Sequence, residues 1–269
     1  MRILYYMSSF QKKAITFSAI WTHFFLAGCT ILTVFFLSNC SGRINGNLRR
    51  DGSAELSLDI RLEPRMSALI RSLSALSGSA SAEKDTPIIN AAAIAKSMAA
   101  APGIESVNLQ NRGSSSIAGT IRIARIDEFL ALPDAITAKN TEGKRFITYI
   151  QGNPPGDSRL LIALDRNTAP LVLAMISADI RDYLSALMAP AATGEQLSRT
   201  EYLKLVSDFY GQALADEIAA AGITVSIGFP GPISTVKGGT FTGTQARFDL
   251  PLAELLVLEN PLEYEVIWR

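Results

Sequence analysis

The 269-residue chain balances 25 basic against 25 acidic side chains, so its composition carries no electrostatic footprint for nucleic acid. Its one histidine, His23, and its two cysteines, Cys29 and Cys40, all fall within the first 40 residues. The remainder lacks imidazole and thiol, which excludes Ser-His-Asp and Cys-His nucleophilic sites, His or Cys zinc sites and disulfides there.

The first element is the stretch from Ala14 to Cys40, which holds no formal charge between Lys13 and Arg43. An apolar run of about 25 residues is long enough, at about 1.5 Å per residue, to cross a bilayer core as a helix. It reads either as a retained single-span anchor or as a signal segment that is cut away. Basic residues flank both sides (Arg2, Lys12 and Lys13 before; Arg43, Arg49 and Arg50 after), so the positive-inside bias does not choose between them. The end of the run favours cleavage. Leu37-Ser38-Asn39-Cys40-Ser41-Gly42 resembles a bacterial lipobox, in its looser spirochaete-like form, which implies lipidation at Cys40. Leu26-Ala27-Gly28-Cys29 is the alternative box, but cutting there would leave the greasy octet Thr30 to Leu37 at the new N-terminus. On this reading residues 1–39 are a lipoprotein signal segment and 40–269 a single extracytoplasmic domain. The first 39 residues hold three basic and no acidic side chains, so that domain carries a net charge near −3.

Residues 41–62 read as a hairpin turning at Arg50-Asp51-Gly52-Ser53, with Ala54, Leu56, Leu58, Ile60 and Leu62 alternating against polar neighbours. Leu62, Met66, Leu69, Leu73 and Leu76 then switch to helical spacing. Ser77 to Pro87 reads as a loop, and Ile88 to Ala101 as a small-residue helix stopped by Pro102-Gly103. Strands are expected over Ser106 to Asn111 and Ser116 to Arg125, and a helical turn over Asp127 to Leu132. A hairpin joins Arg145–Gln151 to Arg159–Asp165 through Gly152-Asn153-Pro154-Pro155-Gly156.

Thr168 to Met188 reads as a long helix with Pro170 in its first turn. Ser198-Arg199-Thr200-Glu201 is a capping box that starts a helix running to Gly222. The C-terminal part returns to strands: Ile223 to Phe229, a hairpin of Ile233–Val236 and Thr240–Asp249 through Lys237-Gly238-Gly239, and Tyr264 to Trp268. A short helical piece, Pro251 to Leu258, precedes the last strand.

Hairpins dominate and a regular βαβ alternation is missing. The expected class is α+β, a mostly antiparallel sheet with four main helices packed on one face, preceded by the separate N-terminal apolar helix. A ββαα order occurs at 43–101 and again at 145–222, which suggests an internal duplication.

Few residues suggest chemistry. Ser81-Ala82-Glu83-Lys84 has the spacing of a serine acyl-enzyme dyad, but it sits in a low-complexity loop with no partner motif. The carboxylate pairs Asp179 with Asp182, and Asp216 with Glu217, lie opposite the apolar helix seams and read as solvated surface. No catalytic residue, metal site or cofactor is expected. The half-helix Leu171 to Ile176 is apolar on every side, so it is either core or the wall of a cavity for an acyl chain. The candidate ligand-binding residues are Leu171, Leu173, Ile176, Ile180 and Phe209.

The segment Ile223 to Trp268 runs from a strand ending in Phe229-Pro230-Gly231 to a strand closing on Trp268. It resembles the end of LppM-type bacterial lipoprotein domains, and the opening Gly46…Asp51-Gly52-Ser53…Leu58 strand pair is similar to that family's start. The resemblance covers roughly a third of the part after the signal. It implies an envelope-anchored domain, on the periplasmic side or at the surface, that handles lipids or glycolipids; it carries over no catalytic residue. The expected function is a non-catalytic envelope lipoprotein, attached to the membrane by its N-terminal lipid, that binds an apolar or amphiphilic ligand. The alternatives are a structural lipoprotein that docks another envelope protein, and a Ser/Lys or carboxylate hydrolase.

Overall fold

In β1 (Gly42–Leu48) and β2 (Ala54–Arg61) apolar and polar side chains alternate, and the two strands pair antiparallel from Gly42 opposite Ile60 to Leu48 opposite Ala54. Their turn is held by Asp51, whose carboxylate accepts the backbone N–H of Ser53 at 2.9 Å and its hydroxyl at 2.7 Å. Gly52 takes the positive φ, 81°, that this turn requires. The computed structural model describes residues 42–76, 86–130, 147–152, 157–170, 173 and 178–269, with backbone alone at 76, 130 and 178–180. The apolar leader with Cys29 and Cys40, the Ser81–Lys84 tetrad, and Leu171 and Ile176 lie outside the described residues.

The β1–β2 hairpin sits inside a seven-stranded sheet. On one side β2 pairs antiparallel with β4 (Ser116–Ile123), and β4 with β3 (Ile104–Asn111). On the other, β1 runs parallel to β7 (Gly222–Gly228). The sheet continues antiparallel through β10 (Gln245–Pro251) to β9 (Thr240–Thr242), in the order β3-β4-β2-β1-β7-β10-β9. The register lines Leu56 with Ile121 and, across Gly46, with Ile227, so one face is apolar throughout. The other face carries Glu55, Asp59, Arg122, Asp249 and Arg247.

A second, four-stranded antiparallel sheet has the order β5-β6-β11-β8, from β5 (Ile147–Ile150), β6 (Ser158–Leu164), β11 (Leu262–Trp268) and β8 (Ile233–Lys237). Its buried Leu160, Val266 and Trp268 join Ile121, Ala246 and Phe248 of the first sheet in one core. Phe229 packs on Trp268 at 4.7 Å between ring centroids, and Tyr264 meets Phe248 edge-on at 5.5 Å. The expected hairpin through Gly238-Gly239 is instead a crossing between sheets, since β8 pairs with β11 and β9 with β10. A Cβ on Gly239 would meet the carbonyl of Arg247 at 2.4 Å, so the crossing passes too close for a side chain. The described strands are antiparallel except for β1 with β7, and the fold is α+β.

The helices divide between two cores. α2 (Ala91–Ala99), capped by Asn90 accepting the N–H of Ala93, buries Ala91 and packs Ile94, Ala95 and Met98 on the sheet core. α3 (Ile126–Leu130) is a short turn beside it. The second core is built by α1 (Pro64–Leu76), α6 (Arg199–Tyr210), α7 (Gln212–Ala220) and α8 (Leu252–Val257), around the fully buried Tyr202, Val206, Ile218 and Val257. α4 (Ala178–Ala186) and α5 (Pro190–Thr193) border it. The capping box at Ser198 and Glu201 forms as expected. The helix it starts does not run to Gly222, however, because Gly211 at φ 92° and ψ 151° breaks it into α6 and α7. Among the described residues no helix is long and apolar enough to cross a membrane.

Candidate functional site

The turn after β6 is fixed by its own sequence. The Asp165 carboxylate accepts the N–H groups of Asn167 at 2.8 Å and Thr168 at 2.7 Å, and the Thr168 hydroxyl accepts the N–H of Asp165 at 2.8 Å. Burial alone would raise the Asp165 carboxyl, but the hydrogen bonds from Thr168 and Asn167 outweigh it and hold it below the usual carboxylate range. This reciprocal bonding aims the intervening Arg166 side chain inward. Its Nε donates to the carbonyl of Leu258 at 3.0 Å and its Nη2 to that of Leu197 at 2.9 Å. Leu258 can offer that oxygen because it closes α8 in the left-handed region, at φ 49°.

A cavity of about 480 Å³ opens beside this side chain, lined by Arg166, Pro170, Leu173, Arg181 and the turn from Pro190 to Gly194. Arg181 comes from α4 and donates through Nη1 to the carbonyl of Leu173 at 3.2 Å. The opposite wall is α5, with Pro190 in its first turn and Gly194 closing it at φ 80°. Among the described residues the lining has two guanidinium groups, an apolar remainder with one threonine, and no carboxylate. Its volume lies within the range of about 300–1,000 Å³ typical of small-molecule sites.

Of the candidate ligand-binding residues, Leu173 lines this cavity. Leu171 and Ile176 fall outside the described residues, and Ile180 is placed only as backbone within α4. Phe209 is not in the lining: it stands 70% exposed on α6. The row that faces the core is Tyr202, Val206 and Tyr210, whose phenol donates to the Ala186 carbonyl at 2.6 Å, and Phe209 is turned out beside it. Reading for apolar periodicity missed Arg166 and Arg181. The available signal was the Asp165–Thr168 spacing, a turn that immediately precedes the helical residues starting at Ala169.

The carboxylate pairs can be followed at Asp182, Asp216 and Glu217, while the side chain of Asp179 lies outside the described residues. Asp182 is exposed, and Asp216 accepts from the Gln212 side chain at 2.8 Å. Glu217 is not simply solvated surface, since its carboxylate accepts the N–H groups of Arg65 and Met66 at the start of α1. Among the described residues no group of three or more His, Cys, Asp or Glu side chains is arranged to hold a metal ion.

The chain is similar to the NMR structure of the folded domain of the Mycobacterium tuberculosis LppM protein, at 9% sequence identity and a TM-score of 0.36, covering 85% of this chain and 88% of that one. No protein-family model matches the chain, and no curated protein matches it.

Proposed function

We propose that the protein is an envelope lipoprotein, anchored by lipid on Cys40, whose α+β domain binds an amphiphilic ligand without transforming it. The observation that carries the binding role is the cavity of about 480 Å³ whose wall includes Leu173, part of the stretch that is apolar on every side in the sequence. A mostly apolar lining with a few fixed polar groups is the usual make-up of a small-molecule site. The absence of histidine and cysteine beyond Cys40 removes the commonest nucleophiles and bases, which favours binding over catalysis. The address rests on the uncharged leader and its lipobox-like end, with Cys29 as the alternative modified thiol.

The test is to purify the full chain from membranes in a mild neutral detergent and to identify bound lipid by native mass spectrometry followed by organic extraction. Stoichiometric retention of one amphiphile species is the expected result. A protein that emerges with no bound amphiphile, from membranes that contain abundant lipid, overturns the binding role. It would shift the assignment to docking of another envelope protein.

A further inference from the structure

We infer that the helical end of the domain is its membrane-facing surface, and that Phe209 enters the bilayer at the boundary between headgroups and acyl chains. This rests on the reading of Cys40 as the acylated residue. It adds the orientation of the domain and the side chain that touches lipid.

The tether decides which end of the domain meets the bilayer. Gly42 opens β1 two positions after Cys40, and two extended residues reach about 7 Å. At that end of the seven-stranded sheet Gly42 lies opposite Ile60 of β2 and beside Ile223 of β7, and Gly222 lies opposite Pro251 of β10. There β2 runs on into α1, α7 feeds β7, and β10 runs on into α8. Three of the four helices that build the second core are therefore joined to the sheet end from which the lipid emerges. The second sheet is reached from the other end. β7 leaves Gly228 for β8, and Gln151, just past β5, donates through its side chain to the carbonyl of Arg50 in the β1–β2 turn. An anchor this short brings the helices to the bilayer and holds the second sheet away from it.

Phe209 is what this end offers to lipid. Among the described residues the exposed large apolar side chains are Ile150 on β5, Phe241 on β9 and Phe209 on α6, and Phe209 is the most exposed of them. Residues four apart share a helix face, so the half-buried Leu205 lies one turn behind the ring. Phe209 stands two positions before the Gly211 bend that joins α6 to α7, and α7 packs on α6, α8 and α1. The ring thus belongs to the helical end. A single exposed ring elsewhere on a surface needs no explanation; this one sits on the side to which the tether leads. A phenyl group gains free energy in proportion to the area it withdraws from water, and the headgroup boundary is where a surface helix lays its apolar side. The neighbouring charges on α6 cancel, since Lys204 pairs with Asp208 at 2.7 Å. Contact is therefore set by the ring and not by the charge of the lipid.

The experiment uses the protein expressed as the full chain with its leader, extracted from membranes and reconstituted in phosphatidylcholine vesicles. Beyond Cys40 the sequence has no cysteine, so a thiol introduced there takes a nitroxide label alone. Phe209→Cys, Ile150→Cys and Phe241→Cys are labelled in separate samples. Power-saturation EPR then compares collisions with oxygen, which dissolves in the bilayer, against collisions with a water-soluble nickel chelate. The oxygen-to-nickel ratio is expected to be several-fold higher at 209 than at 150 or 241, and to persist in high salt. Phe209→Gln keeps the position free of label and checks the same contact. Its thermal transition in detergent should match that of the unsubstituted protein, because the side chain is exposed, while hydrogen exchange around Gly211 in vesicles should rise. A ratio at 209 no higher than at the two strand positions, or exchange unmoved by Phe209→Gln, overturns the orientation. If the protein nevertheless stays with the vesicles through an alkaline carbonate wash, the anchor stands. Release of the unsubstituted protein by that wash overturns the anchor reading, and the orientation with it.

Discussion

The Glu217 carboxylate accepts the backbone N–H of Met66 at 2.7 Å and that of Arg65 at 3.1 Å, so a side chain on α7 caps the first turn of α1 about 150 residues away. The opening N–H groups of a helix have no intrahelical partner, and a carboxylate there also complements the helix dipole. This bond ties the α1 start to the helical core in which Met66 and Ile70 are buried beside Ile218. Glu217→Ala should therefore cost about 1–2 kcal/mol of stability. Glu217→Gln, which keeps one acceptor oxygen, should cost roughly half of that. Urea unfolding of both variants beside Asp216→Ala, whose side chain accepts from its exposed neighbour Gln212, checks it. Equal effects at the two positions would remove the capping role from Glu217.

Acid should weaken the fold through a set of carboxylates that accept hydrogen bonds. Asp249 is one: the Thr224 hydroxyl donates to it at 2.7 Å, and this bond, with help from Arg247, holds its carboxyl below the usual range despite some burial. Asp51, Asp127 and Glu201 are lowered as well, chiefly by hydrogen bonds from Ser53, Arg125 and Ser198 respectively. A group depressed in the folded state adds stability above its unfolded pKa, about 4 for a carboxyl. That stability is lost as pH falls through the lower folded value. Stability should thus be flat from about pH 7 to pH 5 on this account and drop below about pH 4. Thr224→Val removes the main donor to Asp249, so its loss on acidification should be smaller than that of the unsubstituted protein, while at pH 6 it is the less stable of the two. Urea midpoints at pH 6 and pH 3 measure this, and parallel losses would count against it.

Local chemistry made much of this fold legible in the sequence. The alternation from Ala54 to Arg61 and the Asp51-Gly52 turn specify the β1–β2 hairpin, and Ser198 with Glu201 specifies the start of α6. What was not legible depends on partners distant in the chain. Nothing local says that β1 runs parallel to β7, or that Gly238-Gly239 carries the chain from one sheet to the other. Gly211 lies in a pattern that stays helical on both sides, so periodicity alone reads through it. Its φ of 92° and ψ of 151° are tolerated by glycine because it has no Cβ. The cavity was half legible: Leu173 stood out as apolar, whereas Arg166 acquires its meaning from the carbonyls of Leu197 and Leu258, 31 and 92 residues away.

The break at Gly211 can be tested directly. A Cβ there would meet no other atom within 4 Å, so the cost of Gly211→Ala comes from its backbone conformation and not from crowding. It should amount to about 1–2 kcal/mol. Gly119 offers the opposite case, since a Cβ on it would lie 2.0 Å from the carbonyl oxygen of Asn108 on the neighbouring strand. Gly119→Ala must push β3 away from β4 and should cost more, about 3 kcal/mol or above. Hydrogen exchange separates the two: Gly119→Ala should speed exchange along the β3–β4 ladder, and Gly211→Ala only in α6 and α7. If both raise exchange everywhere alike, the difference in mechanism is lost.

The proposed lipid anchor makes its own prediction about which thiol is modified. The uncharged stretch from Ala14 ends at Cys40, and in the sequence Ser41 alone separates that residue from β1, which begins at Gly42. Cleavage before Cys40 would place an acylated residue two positions from the first strand, a short tether that holds the sheet near the bilayer surface. Cys40→Ala should abolish metabolic labelling with palmitate and leave a longer polypeptide that retains the leader. Cys29→Ala should leave both labelling and length unchanged. One acyl chain gives only marginal membrane binding, at about 10⁴ M⁻¹, so stable attachment needs the two or three chains that a bacterial lipoprotein carries. Intact-mass analysis of the membrane-extracted protein counts them. Loss of label in Cys29→Ala with retention in Cys40→Ala would move the modified residue 11 positions upstream and lengthen the tether accordingly.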